Sequence, residues 1–248
     1  MDTELIKIIR EHRSIRKFTD RQIDDDILDE ILDAARHASS HHNIQAYSLI
    51  KIRNKEKKEI LSTIAADQKW IVDCSAFIVV CMDFYRINQA CNLHGETMQI
   101  DEIESIMIGS IDGALVGQNI ITMAESVGLG GVIIGGIRND PAKVIQLLDL
   151  PNYTFPLFGI CLGYPDPNQI PWTKPKLPKE IVIFEECYNK ENIREGLKKY
   201  DEITTDYYNR RTKGKNKDGW SKRMSEYISK KRRPFLKEKL IDQGFLCK

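Results

Sequence analysis

No two of the six cysteines stand at C-x-x-C spacing. Cys74, Cys81, Cys91, Cys161, Cys187 and Cys247 are scattered along the chain, and Cys74, Cys81 and Cys161 lie inside apolar runs, where a thiol acts as a small hydrophobe. This pattern excludes a disulfide framework and a zinc ribbon, and it implies a reducing, cytoplasmic compartment. Excess charge is missing as well: 37 basic against 36 acidic side chains leave a net charge of +1, which argues against a dedicated nucleic-acid binder. The opening "MDTELIKIIREH" is too short and too charged for a signal peptide. Hydrolytic signatures are absent too. There is no Ser-His-Asp order, no G-x-S-x-G, no H-E-x-x-H and no P-loop. Cys91 and His94 have no visible catalytic partner. A chain without nucleophilic or acid–base machinery of its own leaves the chemistry to a cofactor.

What is present is an ordinary apolar core, interrupted by glycine and proline. The stretch "SIMIGSIDGALVGQNIITMAESV" (105–127) approaches membrane-spanning length but carries Asp112, Gln118, Asn119 and Glu125, which are costly in hydrocarbon. It reads as a buried helix, within an element spanning 98–127, and no membrane contact is expected. Such a helix, apolar nearly all round in its second half, needs cover on every side, which a second subunit supplies.

Leu5, Ile8 and Ile9 behind Thr3 predict a short first helix. Residues 24–38 predict a second, with Ile27, Leu28, Ile31, Leu32 and Ala35 on one stripe. Strands are expected at 46–53, 76–84, 130–137, 155–165 and 180–187, and helices at 55–65 and 141–150. The run 76–84 is apolar on both faces, and the proline-rich 165–178 is irregular. From residue 190 the chain reads as helical and polar, ending in a basic region at 210–233. With no internal repeat or low-complexity tract, the pattern gives one α+β domain: a core over 1–189 and a C-terminal excursion over 190–248.

Four clusters stand out. "EHRSIRKF" (11–18) gathers His12, Arg13, Ser14 and Arg16, whose donors suit a phosphate, or alternatively a solvated surface paired with Asp20 and the acids at 24–26. "SSHHNIQ" (39–45) places hydroxyls, imidazoles and amides between a helix and a strand. It lacks the acid or cysteine that a metal site needs, and Ser39 or Ser40 as a helix cap is the simpler reading. In "GLGGVIIGGI" (128–137) a helix precedes the first glycines, the reverse of a dinucleotide fingerprint; Gly135 and Gly136 would admit a flat ligand to the backbone, or merely end the strand. "KPKLP" (174–178) adds two lysines on a stiff loop.

Together "HRSIRKFTD", "ASSHHNIQ", "DQK" (67–69), "AESVGLGGVIIGGIRND", "FPLFGICLGYP", "KPKLP", "YDEITTDYYNRRTKGK" with the tryptophan that follows, and "RRPF" resemble, in this order and nearly end to end, the nitroreductase / flavin reductase family, in its larger NADPH-preferring, oxygen-insensitive branch. The resemblance implies an α+β fold with a central antiparallel-type sheet flanked by helices, and a long central dimer helix in an intertwined homodimer that binds FMN at the subunit interface. It also implies ping-pong hydride transfer from NADPH (or NADH) through FMN N5 to nitroaromatics, quinones or free flavin. On this likeness His12, Arg13, Ser14 and Arg16 hold the FMN phosphate, with Lys176 nearby. Gln68 meets the ring or ribityl chain, and Ser40 reaches across from the other subunit. The Gly135 N–H faces N5, with Ile134 and Gly136 beside it, and Lys174 stands at N1/O2. His42 and Asn43 line the substrate side, Arg211 and Lys215 (with Lys213 and Lys217) match a loop that grips the extra phosphate of NADPH, and Arg233 faces the substrate pocket. Two departures bear on acceptor choice and phosphate grip: His41, His42 and Asn43 replace small hydroxyl and aromatic residues, and Lys176 replaces an arginine. The competing readings are a dedicated flavin reductase, a flavin-binding sensor or carrier, and an interaction module using the basic 210–233 face.

Overall fold

The strand with the least exposure explains the rest. In β2 (Ala76–Asp83) every residue is buried, because its alternate side chains serve two different cores. Ile78 and Val80 face one cluster with Ile31, Val116, Ile120 and Ile160. Phe77, Val79 and Cys81 face another with Leu61, Ile71, Val132 and Val144. This is the computed structural model of the chain, describing residues 3–100 and 102–246.

β2 is flanked by β1 (Tyr47–Ile52) and β4 (Thr154–Gly163), and β3 (Gly130–Ile134) closes the sheet in the order β1-β2-β4-β3. All three pairings are antiparallel, with an irregularity between Val80 and Cys81. One face is covered by α2 (Asp25–Ala35) and α6 (Ile103–Ser126), the other by α3 (Lys55–Ile64), α4 (Trp70–Asp73) and α7 (Pro141–Leu148). α1 (Glu4–Arg10) is capped by Thr3, whose side chain accepts from Ile6 N. Side chains of α10 (Leu236–Asp242) join a third cluster in which fully buried Phe245 packs with Met82, Phe84 and Phe155.

α6 lies directly on the sheet because Gly109, Gly113 and Gly117, four residues apart, sit where a Cβ would strike Met82, Leu157 and Phe158. Its opposite face, which the sequence expects a second subunit to cover, is open in the single chain: Ile103, Met107, Ile111 and Leu115 are 41–62% exposed. Glycine on one side allows close packing while the large apolar residues point the other way. By length and composition alone α6 could cross a membrane.

The expectations hold in most places and fail in several, the unforeseen short helix α4 among them. The long helix starts at Ile103 rather than 98, and Asp101, within the expected span, lies outside the described residues, as does Cys247. α5 (Tyr85–Leu93) was not foreseen; it has no buried residue and thus no clear stripe. The strand expected over 130–137 ends at Ile134, and Gly135–Asn139 turn into a 3-10 helix, since paired glycines favour a tight turn over continued pairing. Residues 180–187 form no strand; a 3-10 turn at Lys179–Ile181 is followed by exposed Val182 and Ile183. A β-prone run needs an adjacent edge, and this one has none among the described residues.

The chain divides into two compact units, Met1–Pro171 with Arg233–Lys248, and Trp172–Arg232. Within the second, α8 (Ile193–Arg211) lays Gly196 on Ile181, and Tyr200 OH donates to Pro175 O at 2.8 Å. α9 (Trp220–Ile228) is fixed to α8 through Trp220 N donating to Thr204 Oγ1 at 3.0 Å and Ser221 N donating to Asp201 Oδ1 at 2.8 Å.

Candidate functional site

The segment after α1 is held as an extended strap. Ser14 bridges Gly131, Ile15 N donates to Gly131 O at 2.9 Å, and Phe18 bridges Pro165. Ile15 is buried at 6% exposure, so alternation turns Ser14 and Arg16 to the opposite side. The Arg16 guanidinium lies 5.7 Å from the Trp70 ring centre and donates to Ser14 O at 3.4 Å. Arg13 faces elsewhere, lining a cavity of about 180 Å³ with Ile8, Ile15 and Ile170. His12 has one nitrogen engaged: Nδ1 lies 2.7 Å from Glu125 Oε1 near the end of α6. The strap thus gathers Ser14 and Arg16 on one side, whereas His12 and Arg13 are directed by α6 and α1.

The turn that follows β3 brings further expected residues together. A Cβ on Gly136 would stand 2.9 Å from Ala65 Cβ and 3.1 Å from Gln68 Nε2, so only glycine lets this turn rest on the end of α3. Gln68 follows two residues at positive φ, Ala66 and Asp67, and its Nε2 donates to Ala65 O at 2.9 Å. Ile134 is buried beneath the turn. At Gly135 the nearest group to an added Cβ would be Arg138 Nη2, at 3.3 Å, and Arg138 also donates to Leu157 O. The sequence reading overlooked Arg138, although a cation three residues after paired glycines in a 3-10 turn eclipses the first of them. Asn139 was overlooked too. Its Nδ2 donates to Ile64 O at 3.0 Å, and its Oδ1 accepts from Arg233 Nε and Nη2 at 2.9 and 2.7 Å.

The 39–45 loop is shaped by α6. Asp112, wholly buried, accepts from His41 N and Ala46 N, both at 3.0 Å. Between these two anchors His42, Asn43 and Gln45 adopt φ of 44°, 59° and 51°, a region non-glycine residues rarely occupy. Ser40 Oγ accepts from Gln45 N at 3.3 Å, and Arg86 donates to Gln45 O at 3.0 Å and Tyr47 O at 2.5 Å. His41, His42 and Asn43 are exposed at the tip. Among the described residues no cluster of histidine, cysteine and acid is arranged to hold a metal.

The second unit carries Lys174, Lys176, Arg211 and Lys215. Lys174 lines a cavity of about 240 Å³ with Tyr200, Tyr207, Trp220 and Arg223. Arg211 Nη1 donates to Tyr207 OH at 2.9 Å. Lys215 follows Lys213 and Gly214, both at positive φ, in the exposed connection to α9. Burial pushes the Tyr200 hydroxyl up from its usual range.

A model of the nitroreductase family matches residues 9–164, and a model of the C-terminal domain of the nitroreductase family matches residues 174–248. The "FMN reductase [NAD(P)H]" of Bacillus subtilis (strain 168) is 37% identical over 245 residues, 98% of each chain. The "Oxygen-insensitive NADPH nitroreductase" of Salmonella typhimurium (strain LT2) is 40% identical over 240 residues, 97% of each. The structure of the NADPH:FMN oxidoreductase from Vibrio harveyi complexed with NAD+ superposes with a TM-score of 0.90 at 34% identity, covering 99% of this chain and 100% of that one. The two family models together cover nearly the whole chain, and the Bacillus and Salmonella relatives match it end to end at 37% and 40% identity: the chain belongs to the nitroreductase family.

Proposed function

We propose that the protein is an FMN-dependent NAD(P)H oxidoreductase that reduces nitroaromatics, quinones or free flavin two electrons at a time. The observation that carries the reading is end-to-end similarity to an FMN reductase and an NADPH nitroreductase, joined to a donor set that fits the cofactor. That set comprises a guanidinium and a hydroxyl on one side of a fixed strap, and a glycine turn that a Cβ would block. When bound, FMN supplies the two-electron hydride chemistry that no side chain of this chain provides.

The residues of the chain bind and orient. Arg16 and Ser14 take phosphate oxygens, Arg16 braced against Trp70; His12 and Arg13, which the strap turns toward α6 and α1, are assigned to the phosphate on the family motif alone. Gln68, Ile134, Gly135 and Gly136 meet the ring system, with backbone N–H groups supplied by the turn. On the family motif they carry, Lys174 and Lys176 are assigned to the flavin, and Arg211 and Lys215 to the extra phosphate of NADPH. Ser40 reaches the cofactor from the other subunit, and His42 and Asn43 serve the acceptor side, on a loop held by Asp112.

The working form is a homodimer located in the cytoplasm. Three features support the pairing: the uncovered apolar stripe of α6, the open edge of β1, and the β-prone residues 182–184, which pair with no strand among the described residues. We place the 180–187 segment of one copy in strand form beside β1 of the other.

The test is an anaerobic absorption titration of the undialysed protein with NADPH. A flavin spectrum that bleaches stoichiometrically supports the reading; a flavin that stays oxidised turns the protein into a carrier or sensor; no flavin even after FMN is added defeats the cofactor assignment.

A further inference from the structure

The turn from Gly135 to Asn139 ends on Arg233, which the family resemblance turns toward the substrate pocket without saying what holds it or what it selects. Arg233 Nε and Nη2 both donate to the single oxygen Asn139 Oδ1, and Asn139 is itself tied to the end of α3 through Ile64 O. Arg233 is at φ 47°, a conformation that a long side chain keeps only where its surroundings hold it. The grip is edge-on, so the guanidinium keeps Nη1 for another partner. The holder is a neutral amide, and among the described residues no carboxylate pairs with Arg233, so its charge is not cancelled locally. A 3-10 turn rises about 2.0 Å per residue, placing Asn139 roughly 8 Å along the turn from Gly135. That is the span of a benzene ring with substituents at its two ends.

We propose that Asn139 is a positioning residue that holds Arg233 side-on and fully charged, and that Arg233 thereby selects acceptors bearing a carboxylate across the ring from the group that is reduced. The proposal rests on the flavin-oxidoreductase reading above and names the acceptor class for it. The edge-on grip confines the guanidinium to one orientation, while an acceptor's ring needs only a flat surface on which to lie.

The experiment compares kcat/KM for 4-nitrobenzoate and nitrobenzene in the FMN-loaded enzyme. Equilibrium dialysis with benzoate and benzamide, neither of which is reduced, gives a second readout. Wild type favours the carboxylate in both assays. Arg233→Gln lowers both preferences about two- to fivefold, the range of one lost partly exposed charge contact. Asn139→Ala does the same with the arginine still present, and Arg233→Lys fails to restore the preference, because an ammonium cannot be gripped edge-on. An unchanged ratio in Arg233→Gln overturns the proposal. So does a parallel loss for both substrates in Asn139→Ala, since a merely structural role lowers both alike. Should Asn139→Ala not fold, the surface variant Arg233→Gln decides. A flavin that NADPH does not bleach would sink the oxidoreductase reading instead, and the benzoate-to-benzamide binding ratio would still report on Arg233.

Discussion

Asp112 and His41 are separated by 71 residues in sequence, yet the buried carboxylate of one accepts the backbone N–H of the other at 3.0 Å. The second carboxylate oxygen takes Ala46 N at the same distance, so one side chain on α6 closes both ends of a loop whose interior residues sit at positive φ. Asp112→Ala leaves two donors without an acceptor and releases that strain. It is expected to cost about 2–5 kcal/mol and to raise KM for acceptors more than KM for NADPH. Urea denaturation and steady-state kinetics read the two effects. Equal changes in both KM values would show that the loop serves neither side in particular.

Arg16→Ala removes a guanidinium braced on Trp70 and oriented by the strap. A charged hydrogen bond of this kind is worth about 1.5–3 kcal/mol, so FMN affinity should fall roughly 10- to 100-fold and the protein should purify with little flavin. Full flavin occupancy, measured as the ratio of 450 to 280 nm absorbance, would count against the phosphate assignment.

The α6 stripe gives a separate prediction. Ile111 is 53% exposed midway along it, and Ile111→Glu puts a charge into an apolar contact, where desolvation costs several kcal/mol. Light scattering after gel filtration should report a monomer for the variant and a dimer for wild type. An unchanged dimer would move the interface elsewhere on the surface.

Burial, with Asp83 adding to it, pushes the Cys81 thiol up to about 12. The folded state thus keeps its proton where the unfolded chain, near 9, has already lost it. The stabilisation is complete below about pH 9 and declines by about 1.4 kcal/mol per pH unit from there toward pH 12. Urea midpoints for wild type and Cys81→Ala should therefore converge as pH rises through that window. Parallel profiles would mean that the thiol does not contribute.

Legibility in the sequence followed local physics. β2 and α2 could be read because their apolar spacing serves cores on known faces, whereas the cations of 11–18 fitted a solvated surface as well as a phosphate, and only the family motif chose between them. Residues 180–187 were misread for a complementary reason: side-chain preference specifies a strand, but the edge that completes it need not be in the same chain. Asn139 and Arg138 escaped notice because nothing about a single amide or a single arginine marks it. Their roles come from the turn that sets them against residues 94 and 19 positions away. Glu125 was visible only as a polar interruption in an apolar helix, whereas its meaning depends on His12 lying beside it.

Phe245 is fully buried in a cluster whose other buried members, Met82, Phe84 and Phe155 among them, come from far earlier in the chain. A ribosome releases Phe245 only after the entire second unit has been made. The first unit therefore waits, with an unfilled hydrophobic socket, while residues 172–232 emerge and fold ahead of its completion. Phe245→Ala would leave that socket open in the finished fold as well, at a cost of about 3–5 kcal/mol, so the order of synthesis and the final stability depend on the same ring.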